Sequence, residues 1–174
     1  MASRAKISSV IITYNEERNI EECLETANWM DEIIVVDSFS TDRTLEVCNR
    51  YTQLIYQRPF LGFGKQKNFG IEQASMDWIF VLDADERIPE ELRREIEEIL
   101  TSNETEFSAY RLARKNYFYG HWLRWGGHYP DWQVRLFRNG AGLNDDFEPH
   151  HNFIFKGKLG TLENALIHYT ERHI

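Results

Sequence analysis

Four uninterrupted apolar runs punctuate the first hundred residues, and helical or turn-rich segments separate them. They are Val10-Ile11-Ile12, Ile33-Ile34-Val35-Val36, Leu54-Ile55-Tyr56 and Trp78-Ile79-Phe80-Val81-Leu82. Side chains on a strand alternate between its two faces, so a strand that is apolar throughout needs cover on both. Strands joined by helices and covered on both faces build a parallel sheet in an α/β fold. The helical segments fit this reading. Ile20, Cys23, Leu24 and Ala27 recur at helical spacing behind Asn19, an expected N-cap. Ser40-Thr41-Asp42 is expected to cap a helix with Leu45, Cys48 and Tyr51. Gly62-Phe63-Gly64 leads into a helix through Phe69 and Ala74, and Pro89 opens one carrying Leu92, Ile96, Ile99 and Leu100.

After Thr101 the pattern becomes β-rich. Ser108 to Ala113, Gln133 to Phe137, Phe153 to Phe155 and Ala165 to Tyr169 read as strands, with turns at Asn139-Gly140 and Lys156-Gly157. Asn116 to Trp132 reads as a loop dense in Tyr, Trp, His and Gly. The expectation is one domain over residues 1–174, in which 101–174 add β-structure to the α/β half at 1–100.

Ligands of parallel sheets sit at the carboxyl ends of the strands. Here those ends are polar: Thr13-Tyr14-Asn15-Glu16, Asp37-Ser38, and Asp83-Ala84-Asp85-Glu86. Two carboxylates one residue apart beyond a strand suit a hard divalent cation such as Mg²⁺ or Mn²⁺, which completes its shell with substrate phosphates. The same acids also serve as helix caps, and Glu86 is expected in the first turn of the Pro89 helix. Asp37 can accept from a base or a ribose hydroxyl, and Tyr14 can stack on a base or pack at the core edge.

Bulk properties remove other classes. A formal charge of −8 on 174 residues argues against a nucleic-acid binder. Cys23 and Cys48 fall on apolar helix faces, as reduced buried thiols of a cytoplasmic protein do. Met1 to Lys6 is too short and polar for a signal peptide, and no run approaches the ~20 apolar residues that span a bilayer.

Three segments, Ile7 to Ile20, Ile33 to Thr44 and Trp78 to Glu86, resemble the family 2 glycosyltransferases of GT-A fold. Gly64 to Gly70 is similar to that family's phosphate-side segment. Tyr129 to Arg138 and Ala165 to Tyr169 resemble the branch that builds bacterial lipopolysaccharide cores and other surface glycans. The resemblance implies a mainly parallel sheet flanked by helices, a nucleotide-diphospho-sugar donor, and a glycan or glycolipid acceptor. It also implies a cytoplasmic protein, with contact at the inner membrane face left open. Thr13, Tyr14, Asn15, Glu16 and Asp37 would surround the nucleoside, with Lys67 and Asn68 near the phosphates. Asp83 would lie nearer the ribose and Asp85 on the metal, with His168 completing the metal shell. Members commonly continue beyond the His-Tyr run into a helical tail, whereas this sequence stops at Ile174.

Inverting transfer also needs a base for the acceptor hydroxyl. Asp131, behind Gly126-Gly127, is the first choice. Members of the glycan branch carry a His-Glu pair near Glu148 to His151 that is missing here, so Glu148 and His150 stand as alternatives. Arg135 and Gln133 can touch the diphosphate or orient Asp131. The aromatic loop can stack sugars, face a membrane or meet a partner segment. Two rival readings are a sugar-1-phosphate nucleotidyltransferase, which wants a basic Gly-rich loop where Tyr14-Asn15-Glu16-Glu17 stands, and a binding scaffold without turnover.

Overall fold

A computed structural model describes residues 4–102, 105–145 and 152–170. Strands β1 (Ile7–Thr13), β2 (Glu32–Asp37), β3 (Ile55–Gln57) and β4 (Trp78–Asp83) are the four apolar runs, each shifted or extended at its ends. They alternate with helices α1 (Ile20–Ala27), α2 (Thr44–Cys48) and α3 (Phe63–Gln73). The two-residue strand β5 (Glu86–Arg87) and helix α4 (Glu90–Thr101) follow. Then come β6 (Phe107–Phe118), β7 (His121–Trp122), β8 (Asp131–Arg138), β9 (Gly142–Asn144), β10 (Phe153–Phe155), β11 (Lys158–Thr161) and β12 (Leu166–Tyr169).

The sheet runs β3-β2-β1-β4-β8-β6-β12-β5, with β7 and β11 also paired to β6. β3, β2, β1 and β4 are mutually parallel. β8 enters antiparallel to both β4 and β6. β12 runs parallel to β6. The C-terminal strands therefore extend the same sheet, while β9 and β10 form a separate ribbon. No described helix is long and apolar enough to cross a membrane.

The unbroken apolar runs have their physical cause here. Ile7 and Ile11 of β1, with Val35, Phe80 and Leu82, face a core shared with Ile20, Leu24, Leu92 and Ile96. Val10 and Ile12, with Ile34, Val36, Ile79 and Val81, face the other core, under Ile71 of α3. Both alternating sets are buried, so neither is polar.

Several expectations shift. Asn19 precedes α1 but makes no cap; its amide donates to Glu16 Oε2 at 2.8 Å. Asp42, rather than Ser40 or Thr41, receives the Thr44 N–H, at 2.9 Å, and α2 stops at Cys48, before Tyr51. β6 runs five residues past Ala113, because Arg114 and Asn116 are polar strand residues that reach a polar site rather than a core. The expected aromatic loop loses both ends to strands, β6 and β8, and holds β7.

Gly70 is the closest approach of α3 to the sheet. A Cβ there would collide with Val10 Cγ1 and stand 3.0 Å from Val36 Cγ2. Both valines are fully buried, so neither yields easily. Gly70→Ala gains about 1 kcal/mol of helix propensity against an overpacking cost of about 1–3 kcal/mol. The expected outcome is net destabilisation, read as a lower urea midpoint at unchanged slope.

Candidate active site

Parallel register brings the three polar strand ends to one rim: Thr13 lies opposite Asp37, and Ile12 opposite Asp83. The loops beyond them are laced together. Asn15 N–H donates to Ser40 Oγ at 2.8 Å, Thr41 N–H to Asn15 Oδ1 at 2.8 Å, and Glu16 N–H to Thr44 Oγ1 at 2.8 Å. Asn15 holds a left-handed backbone (φ 51°), which asparagine tolerates. Asp37 is buried and accepts from Ser40 N–H (2.9 Å), Ser40 Oγ (2.5 Å) and Gln57 Nε2 (3.1 Å). Tyr14 is 58% exposed, so its ring is not core packing and stands free at the rim. Thr13 Oγ1 is buried without a partner among the described residues. Burial raises the Glu16 carboxyl, and Asp85 and Asp42 nearby add to this while the Asn19 amide opposes it.

Asp83, Asp85 and Glu86 have three different employments. Asp83 lies against two buried cations: Lys67 Nζ at 3.0 Å from Oδ1, and Arg135 at 3.0 Å from Oδ2. Burial works against its charge, but Lys67 and Arg135 outweigh it and hold the carboxyl far below its usual range. Lys67 is 5% exposed, and burial lowers its ammonium pKa against the pull of Asp83. Arg135 is 3% exposed; burial opposes its charge, yet Glu86 and Asp83 raise its pKa.

Glu86 corrects the expectation of a first-turn acid. It sits on β5, fully buried, and accepts from Arg135 (2.5 Å), Arg114 (3.1 Å) and the Asp83 N–H (2.9 Å). Burial lifts its carboxyl, opposed by the Arg135 and Arg114 cations. Arg135 thus turns inward and pairs with Asp83 and Glu86.

Asp131 opens β8. Its Oδ2 accepts from Arg114 (2.8 and 2.9 Å) and Asn116 (3.1 Å), and Oδ1 from Gln133 (2.8 Å). Burial favours the neutral acid, but these donors win and lower its pKa. The expected orienting role falls to Gln133, Arg114 and Asn116. The last two were missed because the expected strand ended one residue before Arg114.

Asp85 meets His168 across the sheet edge, with Oδ2 and Nε2 3.2 Å apart. The Asp85 carbonyl also accepts the Tyr169 N–H at 3.0 Å. Asn116 Oδ1 lies 2.7 Å from His168 Nδ1. Among the described residues no three His, Cys, Asp or Glu side chains cluster as a closed metal cage. A carboxylate and an imidazole facing each other fit the open kind of site, in which one or two protein ligands are completed by phosphates. Asp83, expected beside Asp85 on a metal, is instead engaged by cations. Asn68, expected near phosphates, clamps β9: its amide donates to Asn144 O (2.9 Å) and accepts from Asn144 N–H (2.8 Å). Glu148 and His150 lie outside the described residues.

Phe118, Tyr119, Trp125 and Trp132, around β7 and the start of β8, are exposed. Trp125 is 79% exposed, and Trp122, Trp125 and Trp132 carry Lys115, Arg124 or Arg111 over their rings.

Comparison with known proteins decides the family. The family model described as glycosyl transferase family 2 matches residues 8–160. The chain belongs to this family. It is similar to the lipopolysaccharide core biosynthesis glycosyltransferase LpsC of Rhizobium meliloti, with 32% identity over 97% of this chain and 65% of that protein. It spans only 37% of an uncharacterized glycosyltransferase of Rickettsia bellii, at 41% identity. In fold it is similar to S. aureus TarS 1-349 in complex with UDP-GlcNAc, with TM-score 0.68, 17% identity, and coverage of 97% of this chain and 60% of that one. The mannosyltransferase PcManGT of Pyrobaculum calidifontis, in complex with GDP-Man and Mn²⁺, gives TM-score 0.55 at 23% identity over 65% of this chain and 36% of that one. The fold is GT-A, a mostly parallel sheet with extra strands in the C-terminal half.

Two expectations follow for the charged cluster. Glu86→Gln leaves Arg135 and Arg114 without their shared buried carboxylate and is expected to cost about 3 kcal/mol, measured by urea unfolding. The lowered pKa of Asp131 gives stability that is complete above the unfolded carboxylate value and lost as pH falls through the folded one. Denaturation at a series of acidic pH values should show a shallower loss in Asp131→Asn than in wild type.

Proposed function

We propose that this chain is the catalytic domain of an inverting glycosyltransferase that moves a sugar from a nucleotide-diphosphate donor to a hydroxyl of a glycan or glycolipid. The carrying observation is that Asn116 joins Asp131 to His168, and His168 faces Asp85 in the turn beyond β4. Residues 1–100 form the nucleotide-sugar half and 101–174 the acceptor half of one domain. Tyr14 and Asp37 flank the nucleoside, with Thr13, Asn15 and Glu16 shaping that edge. Lys67 and Arg135 hold Asp83 in place beneath the donor.

Asp85 and His168 would hold Mg²⁺ or Mn²⁺. Bound there, the cation supplies charge for the diphosphate leaving group. Asp131 takes the acceptor proton. Its lowered pKa makes it a weak base toward a free hydroxyl, and the hydroxyl acidifies as its bond to the sugar forms, so transfer comes late in a single displacement. The exposed Trp125 ring gives the acceptor sugar a face to stack on. The resemblance to LpsC favours cell-surface glycan or lipopolysaccharide synthesis.

A thermal-shift panel of UDP, GDP, CDP and dTDP sugars, with and without Mn²⁺, tests the donor half. One sugar nucleotide should stabilise the protein, more so with Mn²⁺, and Asp85→Ala should lose the metal-dependent part. Stabilisation by none of them overturns the reading. For the acceptor half, Asp131→Asn should slow transfer by about 10²–10⁴-fold with donor binding intact. A variant as active as wild type removes Asp131 from the base role.

A further inference from the structure

The hydrogen bonds that join the two halves of the site have a fixed polarity, and one uncharged side chain sets it. Asn116 on β6 lies opposite His168 on β12, and Arg114, two residues earlier on the same strand, lies opposite Asp131 on β8. Residues two apart on a strand share a face, so Arg114 and Asn116 reach Asp131 together.

An ionised carboxylate only accepts hydrogen bonds. Asp131 lies beside the Arg114 guanidinium, and its Oδ2 takes two bonds from Arg114 and one from Asn116. The atom of Asn116 that faces it must be the NH₂ group. The amide oxygen is then the atom left for His168 Nδ1, at 2.7 Å. An amide oxygen cannot donate, so Nδ1 carries the hydrogen. In the neutral imidazole this leaves Nε2 with its lone pair, and Nε2 is the atom that faces Asp85 Oδ2 at 3.2 Å. In that tautomer Nε2 and Asp85 Oδ2 are both lone-pair donors, a pair that a divalent cation can bridge; with a proton on Nε2 the same contact is an ion pair.

We propose that Asn116 is a positioning residue that couples the acceptor-side carboxylate to the cation side: one end of its amide holds Asp131, and the other fixes the His168 tautomer that offers Nε2 to a divalent cation. It touches neither substrate nor cation. The proposal rests on reading Asp85 and His168 as cation ligands. Second partners of this kind set imidazole orientation and tautomer, and their loss typically costs about 10–100-fold in metal affinity.

The experiment has two readouts. The first is the pair of ¹⁵N shifts of the His168 imidazole in metal-free protein at about pH 8.5, well above the ordinary imidazole pKa. The second is Mn²⁺ affinity in the presence of a nucleoside diphosphate, followed by electron paramagnetic resonance. Wild type should show one protonated nitrogen, Nδ1, and one bare nitrogen, Nε2. Asn116→Leu removes both ends of the amide. It should lose the single-tautomer pattern and bind Mn²⁺ about tenfold more weakly. Asn116→Asp keeps an acceptor for Nδ1 but no donor for Asp131. It should retain the wild-type nitrogen pattern and Mn²⁺ affinity, yet transfer more slowly. Should Asn116→Leu not fold, Asn116→Ala carries the same expectation. Unchanged shifts and unchanged Mn²⁺ affinity in the Leu or Ala variant overturn the proposal, as does loss of the wild-type pattern in Asn116→Asp. Wild type that binds no Mn²⁺ overturns the cation-ligand reading, while the nitrogen shifts still decide whether Asn116 sets the tautomer.

Discussion

The fully buried carboxylate of Glu86, held between Arg135 and Arg114, is the contact on which the rest of the site depends. Burying any one of these charges alone would be strongly unfavourable. They are tolerable because they alternate. Lys67, Asp83, Arg135, Glu86, Arg114 and Asp131 form a continuous chain of opposite signs, extended through Asn116 to His168 and Asp85. Glu86 also accepts the Asp83 N–H, which bends the chain after β4 into a turn. Arg87 tightens that turn by donating to the Ala84 and Glu86 carbonyls. The turn separates the two aspartates, so that one meets the cations beneath and the other meets His168.

Such a network contributes less to stability than its number of ion pairs suggests, because desolvation offsets much of the attraction. Its value lies in geometry. Each member is fixed by partners on another strand: Asp83 by β8, Glu86 by β6 and β8, and Asp131 by β6. A side chain held on rigid strands is placed more narrowly than one on a loop. The Asp131 carboxylate and the His168 imidazole are therefore set relative to each other by sheet register.

The strands and the polar rim were legible in the sequence because burial on both faces writes an unbroken apolar run and function breaks it. The pairing of Asp85 with His168 also followed the resemblance. Glu86 was not legible. A two-residue strand has no period to read, and an acid three residues before Pro89 looks like the start of a helix. Arg114 and Asn116 were hidden for a related reason: polar side chains on alternate strand positions, directed into a polar site, imitate the end of a strand. Asn68 shows what a family segment leaves out. It lies in a family segment, yet its amide serves the β9 ribbon, a contact between residues 76 apart that no local pattern announces.

The antiparallel entry of β8 has a consequence in time. Every strand of the parallel block, and both rim aspartates of the turn, precede β6, β8 and β12 in the chain and so are synthesised before them. Two of their partners, Arg135 for Asp83 and His168 for Asp85, emerge from the ribosome later, and domains form in step with synthesis. For that interval Asp83 has Lys67 but not Arg135, and Asp85 lacks His168. The rim formed by β1, β2 and β4 is drawn first, and the sheet is closed last, when the strand bearing His168 takes its place between β6 and β5.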